Sequence, residues 1–399
     1  MPVEVTPSSL NELSELLRDC GSSKKTAELG GNFTKRAVGG EIAAADVVLS
    51  TRKLNQVLAY EPQDLTISVE AGITFRELRE TLGANGQFLP LDPPFSGTAT
   101  IGGIIASNGS GPPRRRYGTA RDMVIGMKFV TVEGNTIQSG GMVVKNVTGL
   151  DMGKLMIGSF GTLACVAIVN FKIFPKPTLS LTCALSTRSL ETALALRKEI
   201  LSGVLQPNAI DLLNGDAARL GGVHLPESYS LLIEAGGNRA TVERIEREFS
   251  ELARHHAGTG FLALSQEQAT SCWLGVQELT PAALAADAAM NVIRVSTIPS
   301  RIGDIFAAGS AGERARPVLV RAGNALGYIY CSGVEDARQC LDAARSQGLS
   351  AVVEYAPAGQ KSALDQWVVS EPEFKVMRRL KDDLDPDHLL NPGRLFNRL

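Results

Sequence analysis

Hydrophobic and polar positions alternate cleanly over residues 64–70 (DLTISVE). Leu65, Ile67 and Val69 fall on one side, and Thr66, Ser68 and Glu70 on the other, which predicts a half-buried strand. It runs into Ala71-Gly72, after which Thr74-Phe75-Arg76-Glu77 reads as a capping box opening a helix that Gly83 ends. Nearer the start, Leu10, Leu13 and Leu17 recur at helical spacing behind a second capping pattern, Ser9-Leu10-Asn11-Glu12, and Gly21 stops that helix. A short strand over 26–29 leads into Gly30-Gly31-Asn32. Residues 124–132 and 136–137 predict a hairpin turning at Glu133-Gly134-Asn135. Residues 162–174 predict a long strand in which Val169, Phe171 and Ile173 alternate with Asn170 and Lys172. This is a mixed α+β pattern, not a regular β-α-β alternation.

Beyond Lys176 the pattern changes. Residues 179–185 predict a strand, 189–201 a helix, 209–213 and 230–234 strands, and 239–256 a helix. After a poorly patterned stretch the same order recurs: strand 290–296, helix 301–308, strands 317–321 and 325–331, helix 334–345 and strand 351–355. Two split β-α-β units side by side predict one antiparallel sheet with helices on one face. Pro175 and Pro177 flank the change and mark a boundary. The expected organisation is a first domain over 1–176, a second over 177–372, and a charged, helical segment over 373–399 that ends in Asn391-Pro392-Gly393-Arg394.

Composition narrows the function. The 399 residues carry 40 Lys and Arg against 42 Asp and Glu, so the basic surplus of a nucleic-acid binder is missing, and Arg114-Arg115-Arg116-Tyr117-Gly118 reads as a loop near a phosphate or partner. No apolar run approaches the roughly 18–20 residues of a membrane span, and the opening MPVEVTPSSLNELSELL lacks the layout of a signal peptide. The six cysteines are scattered without a CxxC pair, which argues against a zinc ribbon, an iron–sulfur cluster or a disulfide scaffold and suits a reducing cytoplasm. No metal site is expected. Of the four histidines (His224, His255, His256 and His388) none lies in the first 223 residues.

Glycine-rich segments carry the chemistry. One follows a strand, Gly30-Gly31-Asn32-Phe33-Thr34-Lys35. A second, from Ala99-Thr100-Ile101-Gly102-Gly103 to Ser107-Asn108-Gly109-Ser110-Gly111, follows a proline-rich turn that includes Pro93. A third, Gly158-Ser159-Phe160-Gly161-Thr162-Leu163, precedes the long strand. Glycine permits positive φ and close approach, so successive N–H groups can converge on an anion such as a pyrophosphate. A single Gly-Gly pair is a tight turn; three such clusters within about 130 residues favour a nucleotide-type ligand. No G-x-G-x-x-G follows a strand, and G-x-x-x-x-G-K-[ST], H-E-x-x-H and G-x-S-x-G are absent.

Read in order, Pro93-Pro94, ATIGG over 99–103, Ser107-Asn108-Gly109-Ser110-Gly111, Tyr117-Gly118, Lys145-Asn146-Val147-Thr148-Gly149-Leu150-Asp151, GSFGTL over 158–163 and the terminal Asn391-Pro392-Gly393-Arg394 resemble the flavin-binding oxidoreductases of the vanillyl-alcohol oxidase / p-cresol methylhydroxylase type. Within that family the resemblance is strongest to the FAD-binding subunits of bacterial glycolate oxidases. It spans nearly the whole chain and is most specific between Leu54 and Pro177. It implies an α+β fold: a PCMH-type FAD-binding domain of two α+β subdomains, and a cap domain of the FAD-linked oxidase C-terminal type with an antiparallel sheet covered by helices. The FAD contacts it implies are Gly30, Gly31, Asn32, Thr34, Pro93, Ala99, Thr100, Gly102, Gly103, Ser107, Asn108, Gly111, Tyr117, Gly118, Lys145, Gly158, Gly161, Thr162, Leu163 and Asn391. The partners it implies are a paralogous flavin subunit and an iron–sulfur subunit, with a small 2-hydroxy-acid substrate at the level of the complex and peripheral attachment to the inner membrane through it.

Two departures shape the expected mechanism. Covalent flavin attachment in this family commonly uses a histidine of the flavin domain, and none is present there, so noncovalent FAD is expected; Cys165 reads as buried core. Oxidising a 2-hydroxy acid also needs an acceptor for the hydroxyl proton. Related dehydrogenases carry histidines in cap segments of the G-D-G-N-x-H and G-E-H-G types. The matching segments here are Ala322-Gly323-Asn324-Ala325-Leu326 and Val353-Glu354-Tyr355-Ala356-Pro357, in which Gly323, Asn324 and Glu354 remain without the histidines. Glu354 and Lys361 are the polar groups left, and no catalytic residue is assigned. The absent histidines favour an electron-relay subunit beside a catalytic flavin on the paralogous chain. The alternatives are a self-sufficient FAD-dependent 2-hydroxy-acid dehydrogenase and a flavin-free assembly scaffold.

Overall fold

The computed structural model describes residues 2–42, 44–142, 150–312, 314–364, 367, 369–395 and 399. The chain forms two units. The first contains residues 1–110, 118–176 and 366–399; the second contains 111–117 and 177–365.

The first unit holds a three-stranded sheet, a five-stranded sheet and a two-stranded pairing of Phe174–Pro175 with Gln87–Phe88. A three-stranded parallel sheet places Val47–Ser50 between Val3–Val5 and Ala27–Gly30. The helix Leu10–Ser22 buries Leu13, Leu17 and Cys20 in a core shared with Leu49, Val130, Ala167 and Leu390. Ser9 caps it, accepting from the Glu12 N–H at 3.2 Å, but the Glu12 carboxylate turns to the N–H of Ser8 at 2.7 Å, so the reciprocal half of the expected box is made one residue earlier. The box at Thr74 and Glu77 is complete, and its helix runs Phe75–Gly83. A five-stranded sheet has the order Val57–Glu61, Thr66–Glu70, Cys165–Lys172, Val124–Val130, Thr136–Gly140, all antiparallel.

Three strands of this unit lack a clear periodic signal. Val47–Ser50 is buried at every position, as the centre of a parallel sheet requires, and shows no alternation. Val57–Glu61 is an edge strand with an irregular register and largely exposed residues. Val3–Val5 precedes the helix that the pattern places first. The strand expected over 162–174 starts only at Cys165. Gly158, Phe160 and Gly161 all have positive φ (+85°, +54° and +69°), so the chain is still turning through Thr162.

The second unit holds one eight-stranded antiparallel sheet. Its order is Gly260–Ala263, Leu179–Thr187, Tyr229–Gly237, Ala209–Asn214, Val318–Arg321, Leu326–Ser332, Met290–Ser296, Ser350–Tyr355. Each half is a β-α-β-β-α-β unit with its strands in the order 4-1-3-2, and the halves join at their second strands, Ala209–Asn214 and Val318–Arg321. The helices Leu190–Ser202, Arg239–His255, Ile302–Gly309 and Val334–Ser346 bury Leu196, Phe249, Phe306 and Leu341 against Leu212, Ile233, Ile293 and Ile329 of the sheet. The unpatterned stretch between the halves supplies the edge strand Gly260–Ala263 and the helices Gln266–Gln277 and Leu279–Ala286.

The chain is thus of mixed α and β content, with an antiparallel sheet in the second unit as the sequence pattern predicts. Among the described residues no helix is long and apolar enough to cross a membrane.

Candidate functional site

The C-terminal end of the strand Ala27–Gly30 opens into a loop that walls a cavity of about 80 Å³ in the first unit. Leu29 through Arg36 form one side; Thr100, Gly103, Ala106 and Ser107 of the short helix Ile101–Ala106 and its flanks form another; Phe160, Asn391 and Arg394 complete it.

The loop is tied down at its edges and open in the middle. Ser50 Oγ donates to the Gly31 carbonyl at 2.8 Å, the Thr51 N–H to the Gly30 carbonyl at 2.8 Å, and Asn32 Nδ2 to the Thr98 carbonyl at 2.8 Å. The N–H groups of Asn32, Phe33 and Thr34 find no acceptor among the described residues. Phe33 has φ +52°, and successive N–H groups in a turn of this kind can converge on an anion. Lys35 adds a cation at the rim and donates to Ser107 Oγ at 2.5 Å. Arg36 lies over the Phe33 ring at 4.3 Å and pairs with Glu28 at 2.8 Å.

The glycines divide by what a side chain would meet. A Cβ on Gly30 would strike the Phe33 ring, and one on Gly31 the Thr100 side chain. On Gly102 it would lie 2.9 Å from Ala71 Cβ, and the Gly102 N–H already donates to the Ala71 carbonyl at 2.7 Å. These three are demanded by the protein itself. Gly103 is different: its Cβ would meet only Thr100 Oγ1, at 3.4 Å, and would project into the cavity. Space kept clear by a glycine beside three unpaired donors fits a pyrophosphate, so the residues present suit FAD.

The C-terminal segment buttresses this site. Asn391 bonds to the main chain of Leu29 and Phe160, and the Arg394 guanidinium donates to the carbonyls of Arg36 and Val38 at 2.9 and 2.7 Å. Burial pulls the Arg394 pKa down to about 10, which still leaves it charged at neutral pH. Lys381, wholly buried, donates to the Thr162 carbonyl at 2.6 Å and to Asp385 at 2.5 Å.

Of the residues singled out by sequence, Gly30, Gly31, Asn32, Thr34, Thr100, Gly103, Ser107 and Asn391 line the cavity together. Pro93, Ala99, Gly102, Asn108, Gly158, Gly161, Thr162 and Leu163 are not among the lining residues. Gly158 donates to the Ile105 carbonyl, Gly161 packs toward the Asn391 amide, and Thr162 Oγ1 donates to the Ser159 carbonyl at 2.8 Å. Asn108 has φ +50° and a buried Oδ1 without a partner among the described residues. Gly118, at φ +88°, sits against the Asp122 carboxylate that caps the next helical turn. Gly111 and Tyr117 belong to the second unit, and Lys145 lies outside the described residues. Lys35, Arg36, Phe160 and Arg394 line the cavity without having been singled out, although each falls inside or beside a recognised motif. Cys165 is buried, and burial raises its thiol to about 12, which keeps it protonated and inert.

In the second unit Gly323 and Asn324 form the turn between Val318–Arg321 and Leu326–Ser332, and Glu354 lies 3.6 Å from Arg294. The histidines sit elsewhere: His256 is 2.9 Å from Glu199 and His388 is 2.7 Å from Asp382.

Comparison with known proteins agrees with this division of labour. Residues 2–140 match the family described as FAD binding domain, and residues 176–317 and 360–395 match FAD linked oxidases, C-terminal domain. The chain is similar to glycolate oxidase subunit GlcE of Escherichia coli (strain K12), at 28% identity over 97% of both chains. It is also similar to glycolate oxidase subunit GlcD of Bacillus subtilis (strain 168), at 26% identity over 98% of this chain and 88% of that one. Among solved structures, p-cresol methylhydroxylase with substrate bound superposes with a TM-score of 0.73 over 99% of this chain and 88% of that one, at 14% identity, a likeness of fold. With an FAD binding domain whose loop offers three unpaired donors beside a cleared glycine, joined to the C-terminal domain of the FAD linked oxidases, the chain is an FAD-dependent oxidoreductase.

Proposed function

We propose that this chain is the FAD-binding subunit of a complex that oxidises glycolate to glyoxylate, and that it relays electrons beside a catalytic flavin on a paralogous chain, with an iron–sulfur subunit as the onward carrier. The observation that supports this most is its end-to-end similarity to the glycolate oxidase subunit GlcE. Bound FAD supplies a two-electron acceptor. The loop N–H groups of Asn32, Phe33 and Thr34 hold the pyrophosphate, Lys35 adds charge at the rim, and the absence of a side chain on Gly103 leaves room for it. No histidine lies in the first 223 residues and none lines the cavity, so the cofactor is held noncovalently.

The relay role follows from the groups present where related dehydrogenases carry imidazoles. Glu354 there is beside the Arg294 guanidinium, and burial raises the Tyr328 phenol to about 12, so it keeps its proton at pH 7. A guanidinium cannot take a proton from a substrate hydroxyl. Without a base matched to neutral pH, roughly 10²–10⁴ in rate is lost.

The test is to purify the chain alone, record its absorbance and add glycolate anaerobically. A flavin spectrum that bleaches slowly or not at all, with turnover appearing once the two partner subunits are added, is the expected result. Rapid bleaching of the isolated chain would move the oxidation onto this subunit and overturn the relay. A colourless protein would leave an assembly scaffold.

A further inference from the structure

The turn over 158–162 supplies one wall of the cavity in the first unit, because Phe160 lines it. Gly158, Phe160 and Gly161 all have positive φ, and Phe160 reaches +54° without being a glycine. Such a backbone persists only where its surroundings hold it. On one side the N–H groups of Gly158 and Phe160 donate to the carbonyls of Ile105 and Ala106 at 3.1 and 2.8 Å. These bonds tie the turn to the helix Ile101–Ala106, whose Gly103 and Ala106 also line the cavity. On the other side the turn is held by the C-terminal segment.

Lys381, on the helix Glu371–Leu384, is wholly buried. Lysine is almost never buried so completely unless it is paired. Its ammonium has three N–H donors and meets three acceptors: the Thr162 carbonyl at 2.6 Å, the Asp385 carboxylate at 2.5 Å and the Leu390 carbonyl at 3.0 Å. Asp385 accepts in turn from the N–H groups of Leu389 and Leu390 at 3.0 and 2.8 Å. One side chain thereby fastens the helix to the loop that carries Asn391, and both to the far end of the turn. Two further contacts converge on the same turn. Asn391 Nδ2 donates to the Phe160 carbonyl at 2.7 Å, and the Trp367 ring stands 5.4 Å from the Phe160 ring. Trp367, Lys381 and Asn391 all belong to residues 366–399, the stretch that completes the first unit after the chain has built the second.

We propose that Lys381 is a positioning residue for FAD, and that docking of the segment 371–395 and occupancy of the cavity favour each other. Lys381 is not among the lining residues; it acts through Thr162 and Leu390, the neighbours of the turn and of Asn391. Phe160, Asn391 and Arg394 complete the cavity only with the segment in place. A ligand that binds the docked state alone stabilises that state by the factor 1 + [L]/Kd, and by linkage whatever loosens the segment weakens the ligand. This coupling rests on FAD occupying the cavity as proposed.

The experiment follows trypsin cleavage of the full-length chain, stripped of flavin and then reloaded with FAD at about a hundred times its Kd. Lys375, Arg378 and Arg379 are exposed on the helix Glu371–Leu384, and cleavage within a native helix reports its opening. FAD is expected to slow cleavage there at least about tenfold, toward a limit of about 100-fold. Cleavage after Arg247, exposed on the helix Arg239–His255 of the second unit, should change less than about twofold. In a flavin titration Lys381→Met is expected to weaken FAD at least about tenfold. Leu82→Ala, which truncates a buried side chain of the helix Phe75–Gly83 that does not line the cavity, should weaken it less than about threefold. Equal protection at Arg247 and on the C-terminal helix, or a Lys381→Met protein that binds FAD no worse than Leu82→Ala, would overturn the coupling and leave the cofactor site standing. If Lys381→Met does not fold, the cleavage pattern of the parent decides alone. A parent chain that takes up no FAD would overturn the cofactor site and the coupling with it.

Discussion

The side chain of Asn391 clasps the main chain of Leu29 from both sides: its Oδ1 accepts from the Leu29 N–H at 2.8 Å and its Nδ2 stands 3.4 Å from the Leu29 carbonyl. The same Nδ2 donates to the Phe160 carbonyl at 2.7 Å. One amide near the C-terminus thereby joins the strand that feeds the first glycine loop to the turn that carries Phe160 on the cavity wall.

Asn391→Leu removes these bonds and leaves buried main-chain groups unpaired, at a position whose φ of +44° a branched side chain tolerates poorly. The expected cost is about 2–3 kcal/mol, with weaker FAD binding. Denaturant unfolding and flavin titration of the variant measure both. Asn391→Asp, which keeps the Leu29 N–H bond and loses the Phe160 bond, should fall between.

Gly102 and Gly103 adjoin in sequence and differ in consequence. Gly103→Val should stay folded and lose flavin, because the new side chain enters the cavity rather than the core. Gly102→Val should destabilise the fold, because its side chain would collide with Ala71. Circular dichroism with flavin occupancy separates the two. Full flavin occupancy in a folded Gly103→Val protein would show that this glycine serves only the helix.

Acid precipitation of the holoprotein should release yellow flavin into the supernatant. The residues that line the cavity include neither histidine nor cysteine for a flavin bond. Colour that stays with the pellet would mean a covalent link.

Removing one partner of the buried pair of Asp211 and Arg321, as in Asp211→Ala, should cost about 3–5 kcal/mol, because Arg321 is left charged and unpaired in the interior. Burial already pushes the Asp211 carboxyl up from its ordinary value despite Arg321, so the pair is not a large source of stability. The double change Asp211→Leu with Arg321→Met should therefore return near parental stability. Equilibrium unfolding of the single and double variants checks both expectations.

Periodicity alone carried the second unit far: strand Met290–Ser296 and helix Val334–Ser346 stand where alternation and helical spacing place them, and the repeated order of elements implies a single antiparallel sheet. Local pattern suffices there because each strand buries one face and each helix one stripe. It failed for Val47–Ser50, buried on both faces, and for residues 162–164, where positive-φ turns precede the strand. The motifs around Gly30, Thr100 and Phe160 marked the segments that wall the cavity because glycine records a local backbone need. Only the tertiary structure decided which glycine faces the fold and which the cavity, since that depends on whether Ala71 or open space lies opposite. Asp211 and Arg321 carry no mark in sequence either: 110 residues separate them, and strand register alone brings carboxylate and guanidinium together in the interior.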